Sequence, residues 1–591
     1  MVHSNFPGIN QYHRVSVRNG RSILERYSPA TPNYILCTPA VSDFVLGLHS
    51  GEPSAHWKRF FATSYVEAWE EVGRHGDALP IWHGLTDAER AYLLSVVREN
   101  ISHRLRTGES FSIESFPQEG RLNQSAFAAV SAWCGGEMRG CMLAFEHSCL
   151  ESVIEASTRM LSDSRYRALD FDELPDVRFE VAAIFDLGIP VVSRDWKRND
   201  IYVEKAYRMQ TGARSAWYLP EVLNSAHFSD LTDFSSQLAR KGGFSSADAH
   251  VEMFEVDDFI ESAGGADVTV LSGPVPVSRP VQRTSDPYVA FSDMFEHAAD
   301  HLKYLVQERA VLPKAVDPFD VRTFNTVSLG RCAFTMHGML TYAQAVDDAG
   351  LRQAGERLYE KTKLLYGAAP VHEQLLMSAY LGMAARDLGR VEDTKMFRET
   401  LLRAELQEQE VQPIPFLQTA RFFLSDGDTA VHARGAALCE RVLAEFSRAK
   451  DNGTPISLAE YADLLVVTRQ LGAEYRTVGE EISRWYESYQ HDDGSFPNYT
   501  TGGLPYTRGT SKILESLAYD AARREGVVER ALGWLARMQY AEDSMFFVPA
   551  SRRHLLRGGF RHDVCNMQAW PDAAGHVLVG AARLAAVRKV K

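Results

Sequence analysis

Apolar positions recur with helical spacing, then mixed spacing, then helical spacing again along the chain. In residues 1–84, Trp57, Phe60, Phe61, Tyr65, Trp69 and Val72 fall on one broad face. That stripe predicts a helical leader packing its aromatic side against another surface. At Thr86 and Glu89 the residues of a capping box appear, followed by Leu93, Val96, Val97, Ile101 and Leu105 on one helix face and a stop at Gly108. Residues 125–133 and 138–145 have extended character, with Gly135-Gly136 as the turn between them. Ser148 with Glu151 opens another helix, carrying Leu150, Val153, Ile154 and Leu161. Val177, Phe179, Val181, Ala183 and Phe185 alternate with Arg178, Glu180 and Ala182, which predicts a half-buried strand. Residues 263–287 are punctuated by Gly264, Gly265, Gly273, Pro274, Pro276, Pro280 and Pro287 and are expected to be a linker, with a β-hairpin around Val268 to Leu271 as an option. From residue 288 onward the patterns are almost all helical, on the order of a dozen joined by short loops. The expected fold is multidomain: a helical leader (1–84), an α+β domain (85–262), a linker (263–287) and an all-α domain (288–591). Paired helices of this length form a solenoid or a closed toroid.

Composition narrows the function. Hydrophobic residues make up 45% and charged residues 24%, as in ordinary globular proteins. The formal charge of −14 argues against nucleic acid or an anionic membrane as the main partner. Neither a signal sequence nor a span of ~20 apolar residues is present, and seven cysteines, an odd number, argue against a disulfide scaffold. A cytoplasmic protein with free thiols is expected.

The α+β segment carries a motif series. Met138-Arg139-Gly140-Cys141-Met142-Leu143 is followed by Asp163-Ser164-Arg165-Tyr166, Phe179-Glu180-Val181, Ile201-Tyr202-Val203-Glu204-Lys205 and Ser215-Ala216-Trp217-Tyr218-Leu219-Pro220-Glu221-Val222. Residues 234–243 then form the helix that follows. These segments, in order, resemble the AMMECR family, whose central signature is Leu-Arg-Gly-Cys-Ile-Gly. Leu143 departs from its second glycine and Ser164 from its proline. The resemblance implies an α+β fold and a cleft near the signature. Read from the residues alone, Arg139 and Cys141 stand two apart in an extended segment and so are expected on one face. A guanidinium beside a thiol favours thiolate, and Gly140 would let a ligand approach the backbone. The alternative is a buried structural cysteine beside an arginine paired with a carboxylate. No histidine relay is fixed by spacing, although His147 and His227 are available.

In the helical half, His491-Asp492-Asp493-Gly494-Ser495-Phe496 resembles the turns of α/α toroid proteins, among them terpene-cyclase-like and prenyltransferase-β-like barrels and several glycosidases. Asp492 and Asp493 are read as turn chemistry. Tyr506-Thr507 opens a helix, and Gly558-Gly559-Phe560 repeats the turn theme. Asp347-Asp348 reads as a helix stop and His337 as a satisfied core histidine. The densest polar cluster is Arg561-His562-Asp563-Val564-Cys565-Asn566 with Asp572 and His576, the last two on one helix face. Asp563, Cys565 and His576 offer a zinc set, resembling that of the prenyltransferase β-subunit. Alternatively His562, Asp563, Asp572 and His576 do acid–base work, or the cluster is a helix-entry network. No phosphate loop or dinucleotide fingerprint is present, which disfavours ATP and NAD. The expectation is an enzyme acting on a small molecule, sugar or peptide, with Cys141, Arg139, His562, Asp563, Asp572 and His576 as candidate catalytic residues. The alternative is a scaffold presenting helices to a protein partner.

Overall fold

Short-range pairing begins where a helix was expected. The computed structural model describes 13–18, 21–27 and 32–36 and, from 85 on, most of the chain. Outside the described residues lie 1–12, 37–84, 112–119, 192–204, 221–230, 244–249, 319–326 and shorter stretches that include 263–266, 277–283 and Cys565. Strands β1 (His13–Arg18), β2 (Arg21–Tyr27) and β3 (Pro32–Leu36) form an antiparallel meander. Arg18 pairs with Arg21, and the sequence between them is Asn19-Gly20. That dipeptide between alternating residues is a strong hairpin signal, and it overrides the helical expectation for this part of the leader. The aromatic stripe at 57–72 lies outside the described residues.

The chain divides into two units, Met1–Ser278 with Glu542–Ala550, and Arg279–Ala541 with Ser551–Lys591. In the first, α1 (Asp87–Thr107) starts at the full Thr86–Glu89 capping box and ends at left-handed Gly108. Strands β4 (Phe127–Cys134) and β5 (Glu137–Phe145) form a hairpin. Its turn, Gly135-Gly136, has both φ values positive, as a tight two-residue turn requires. Helix α2 (Cys149–Met160) is capped by Ser148, whose side chain accepts from the Glu151 N–H. There follow β6 (Val177–Ile184), β7 (Ile189–Val191), β8 (Ala206–Thr211), β9 (Arg214–Tyr218), α3 (Leu231–Gly242), β10 (His250–Phe254), β11 (Asp257–Glu261), β12 (Val268–Ser272) and β13 (Val275–Pro276).

A six-stranded sheet runs β13-β12-β11-β6-β4-β5 and a four-stranded sheet β7-β10-β8-β9. Strand β12 pairs with β11 and β13, so part of the expected linker is sheet. Strand β6 is buried on both faces rather than half-buried. Its Phe179 and Val181 join the core under α1 and α2. Ala182 and Ile184 pack instead with Ala206, Leu219 and Phe254 of the second sheet's segments.

The second unit is mostly helical. Its helices are α4 (Ser292–Arg309), α5 (Leu329–Val346), α6 (Ala349–Leu364), α7 (Val371–Asp387), α8 (Val391–Arg403), α9 (Pro413–Leu424), α10 (Thr429–Asp451), α11 (Leu464–Leu471), α12 (Arg476–Glu487), α13 (Thr507–Leu517), α14 (Glu525–Met538) and α15 (Pro571–Val590). Asp347 ends α5 in the left-handed conformation, and Asp348 caps α6 by accepting from the Leu351 N–H. Residues 458–471 form two helices, Leu458–Tyr461 and α11. Packing runs in a cycle: α5 on α7, α7 on α9, α9 on α11, α11 on α13, α13 on α15, and α15 on α5. Each of these also packs on a further helix, such as α6 on α5, α8 on α7 and α10 on α9. Close approach is built in by glycine. A Cβ on Gly338 of α5 would lie 2.6 Å from the Gly575 carbonyl oxygen on α15. Among the described residues no helix is long and apolar enough to cross a membrane.

Candidate functional site

Strand β5 departs from regular alternation at the signature. Ala132 pairs with Gly140 and Trp133 with Met138, leaving Arg139 as an extra residue, a bulge. Met138, Cys141 and Leu143 therefore share the face that packs toward the second sheet. Arg139 turns the other way. It pairs with Glu137 at 3.0 Å and Glu173 at 3.3 Å. The expected Arg139–Cys141 pair on one face is not made, because the bulge resets the two-residue period. The carboxylate-paired arginine is the arrangement found. Gly140 faces α2: a Cβ there would lie 2.6 Å from the Met160 carbonyl oxygen. Its role is helix–strand contact, not ligand approach. Gly140→Ala is expected to destabilise this unit by ~1–3 kcal/mol, the usual cost of forced overpacking, measured by urea denaturation.

The cation beside Cys141 is Arg165. Its Nη2 donates to the Cys141 carbonyl at 2.6 Å and to Asp163 Oδ2 at 2.7 Å, while the Cys141 N–H donates to Asp163 Oδ2 at 3.1 Å. Burial alone would raise the Asp163 carboxyl, but Arg165 and the N–H donors outweigh it and hold it below the usual range. The Asp-Ser-Arg motif thus clamps the backbone of Cys141, which is itself buried. His147 is exposed and His227 is outside the described residues.

The helical unit holds a larger polar assembly, supplied by residues far apart in sequence. Glu515 of α13 is 1% exposed. It accepts from His576 Nδ1 at 2.8 Å and pairs with Arg583 at 3.2 Å and Arg421 at 3.5 Å. Asp463 is also fully buried and takes Gln418 Nε2 at 2.5 Å, Lys512 Nζ at 3.1 Å and Arg421 Nη1 at 3.4 Å. Burial alone would raise the Glu515 carboxyl, but Arg583, His576 and Arg421 overcome that and hold it well below the usual range. Burial pushes His576 down against the pull of Glu515. The imidazole is then neutral, Nδ1–H donates to the carboxylate, and Nε2 keeps its lone pair. Phe334 packs against the ring at a centroid distance of 3.8 Å.

One turn N-terminal to His576, Asp572 lies 3.6 Å from both Arg331 Nε of α5 and Arg508 Nη1 of α13. Arg331 lies 4.1 Å over the Trp570 ring, and His562 packs on Trp570 at 4.0 Å and on Tyr506 at 5.6 Å. His562 Nδ1 contacts Asp563 Oδ2 at 2.5 Å, and Asp563 Oδ1 accepts from the Asn566 N–H. Of the expected residues, Asp572 and His576 thus meet along one helix, with His562 and Asp563 beside them. Cys565 lies outside the described residues, and among those described no three His, Cys, Asp or Glu side chains gather as a metal-binding group. Asp493 forms the expected turn, accepting from the Ser495 N–H and hydroxyl. His337 is a correction: it is buried, but neither ring nitrogen has a hydrogen-bond partner.

Sequence reading missed Glu515, Arg583, Arg421, Asp463, Lys512, Arg331, Arg508, Tyr506 and Trp570. A signal was available on α13, where Arg508, Lys512 and Glu515 fall at i, i+4 and i+7 among Ile513, Leu514 and Leu517. Lys512 and Glu515 are buried charges on a helix whose other residues, Arg508 apart, are also buried, so they must meet partners on other helices.

The architecture is that of a two-unit protein, an α+β domain followed by a mostly helical region. Residues 94–259 match the AMMECR1 family, and an AMMECR1 domain occupies this part of the chain. A protein from Pyrobaculum islandicum is 32% identical over 110 residues, covering 18% of this chain and 50% of that one. The chain therefore spans about half the length of this curated relative. The crystal structure of an uncharacterized protein from Pyrococcus horikoshii aligns with 18% identity and a TM-score of 0.29, over 32% of this chain and 98% of that chain.

Proposed function

We propose that the helical unit is an α/α toroid acting as a catalytic domain on a small polar molecule, sugar or peptide, with His576 transferring a proton. The observation that carries this reading is the buried His576–Glu515 pair, 2.8 Å apart. A carboxylate on Nδ1 fixes the tautomer and orientation of the ring, leaving Nε2 as the base. The cycle of helix packing supports the toroid, since it gives inner helices whose polar faces meet. His562, Asp563 and Asp572 stand near the N-terminal end of α15 as further polar groups for orienting a ligand. The AMMECR1 domain is assigned no reaction step, because Arg139 and Cys141 are not one constellation.

The test has two parts. Nitrogen-15 spectra of histidine-labelled protein are expected to show His576 as the neutral Nδ1–H tautomer near neutral pH. The Nε2–H tautomer would remove the base. Turnover found on a panel of glycosides, peptides and esters is expected to fall about 10²–10⁴-fold in His576→Gln. Unchanged turnover in that variant overturns the reading. A zinc-assisted form predicts about one zinc per chain by elemental analysis, lost in Cys565→Ala.

A further inference from the structure

We propose that Arg331, Arg508, Trp570 and Asp572 form a binding site for a small hydroxy-carboxylate, an anion with a hydroxyl close to its carboxylate. The proposal deepens the catalytic reading of the helical unit by naming the substrate class, and it rests on that reading for its use of a substrate.

The site is recognised by what its own residues leave unsatisfied. Three buried polar atoms in this group have no hydrogen-bond partner: Arg331 Nη1, Trp570 Nε1 and Asp572 Oδ1. Asp572 is only 3% exposed, yet one of its oxygens is bare. Buried polar atoms in folded proteins nearly always find partners, so three orphans on residues in mutual contact mark a place built for something else. The existing contacts do not use these groups fully. Asp572 stands 3.6 Å from each guanidinium, beyond the range of a good hydrogen bond. The Arg331 and Arg508 side chains keep 24% and 35% of their surface exposed, while the three orphan atoms themselves are buried beneath them. Glu373, the other acidic group beside Arg331, is already engaged by the Gly330 N–H at 2.8 Å.

The orphan inventory specifies the ligand. Two donors, on Arg331 and Trp570, call for two acceptor oxygens. One acceptor, on Asp572, calls for a donor. A carboxylate supplies the two acceptors in the planar geometry that a guanidinium matches, and an adjacent hydroxyl supplies the donor. His576 lies one helical turn further along α15 from Asp572, so a ligand anchored here points its carbon skeleton toward the proposed base.

The full-length protein is titrated calorimetrically with lactate, L-malate, D-gluconate and D-glucuronate. Controls are propionate, which lacks the hydroxyl; D-glucose, which lacks the carboxylate; and glycerol 3-phosphate. At least one hydroxy-carboxylate is expected to bind at about 1 mM or tighter, and about tenfold tighter than every control. Arg331→Ala and Asp572→Asn are each expected to weaken it about tenfold, and Trp570→Phe, which removes one donor without changing charge, about threefold. Binding can fail while the tautomer test of His576 succeeds, and the reverse. No saturation by any of the four acids overturns the proposal. So does equal binding of propionate or glucose, tighter binding of glycerol 3-phosphate, or unchanged affinity in well-folded Arg331→Ala and Trp570→Phe.

Discussion

Replacing Glu515 with alanine is expected to lower the stability of the helical unit by ~3–5 kcal/mol, the usual cost of removing one member of a buried charge network. The side chain is almost wholly buried and is the shared acceptor for His576, Arg583 and Arg421. Without it, two guanidiniums stand in a water-poor interior with less compensation. Asp463 remains for Arg421, whereas Arg583 loses its ion pair and keeps its bond to the main-chain carbonyl of residue 515. Glu515→Gln keeps the shape and one acceptor and is expected to cost less, ~1–3 kcal/mol, as for a buried hydrogen-bonded group that loses its charge. Chemical denaturation followed by far-ultraviolet circular dichroism measures both. A loss below ~1 kcal/mol for alanine would mean that water or rearrangement satisfies the arginines, and that the carboxylate is not the centre of this network.

The second large effect is acid sensitivity. His301 and His337 are fully buried, and burial lowers their pKa values from 6.5 to about 4 and about 3. His576 is displaced in the same direction. The folded unit keeps these rings neutral, whereas the unfolded chain protonates them as the pH drops through 6.5. Their contribution is therefore complete above the unfolded value and declines as pH falls toward the folded values. Each ring adds up to ~1.4 kcal/mol of lost stability per pH unit in that window. Urea midpoints recorded between about pH 7 and about pH 4 should fall steadily, with a slope reduced by about one proton in His337→Phe. Glu515 acts in the same sense at lower pH: its carboxyl is depressed in the folded unit, so its contribution is complete above the unfolded value of 4.5 and is lost progressively as pH falls below it. A flat profile down to about pH 5 would contradict the burial of these rings.

Local signals in the sequence translated well into structure. The Thr86–Glu89 box and the Gly135-Gly136 turn depend on neighbours within a few residues, and both formed as read. Asp347 and Asp348 stop one helix and start the next for the same reason. What escaped was set by longer-range geometry or by an inserted residue. Arg139 looked like the partner of Cys141 because strict alternation was assumed, and a one-residue bulge sent it to the opposite face. The leader's meander was missed because the whole of 1–84 was read from the aromatic stripe at 57–72, which says nothing about residues 13–36. In the helical unit, His562, Asp563, Asp572 and His576 were visible because they crowd together in sequence. Their partners were not: Glu515 and Arg583 meet His576 and each other from different helices, and Arg331 reaches Asp572 from far along the chain. Only burial of those charges on apolar helices hinted that such partners had to exist.

The clamp on Cys141 bears on association as well as on local structure. Strand β5 is an outer strand of its sheet, and an outer strand with bare N–H and C=O groups is a template on which another chain can add a strand. At Cys141 both groups are already taken, the N–H by Asp163 and the carbonyl by Arg165. A side-chain pair thus substitutes for a neighbouring strand. By occupying the open edge at its midpoint, the Asp-Ser-Arg motif discourages edge-to-edge aggregation of the domain.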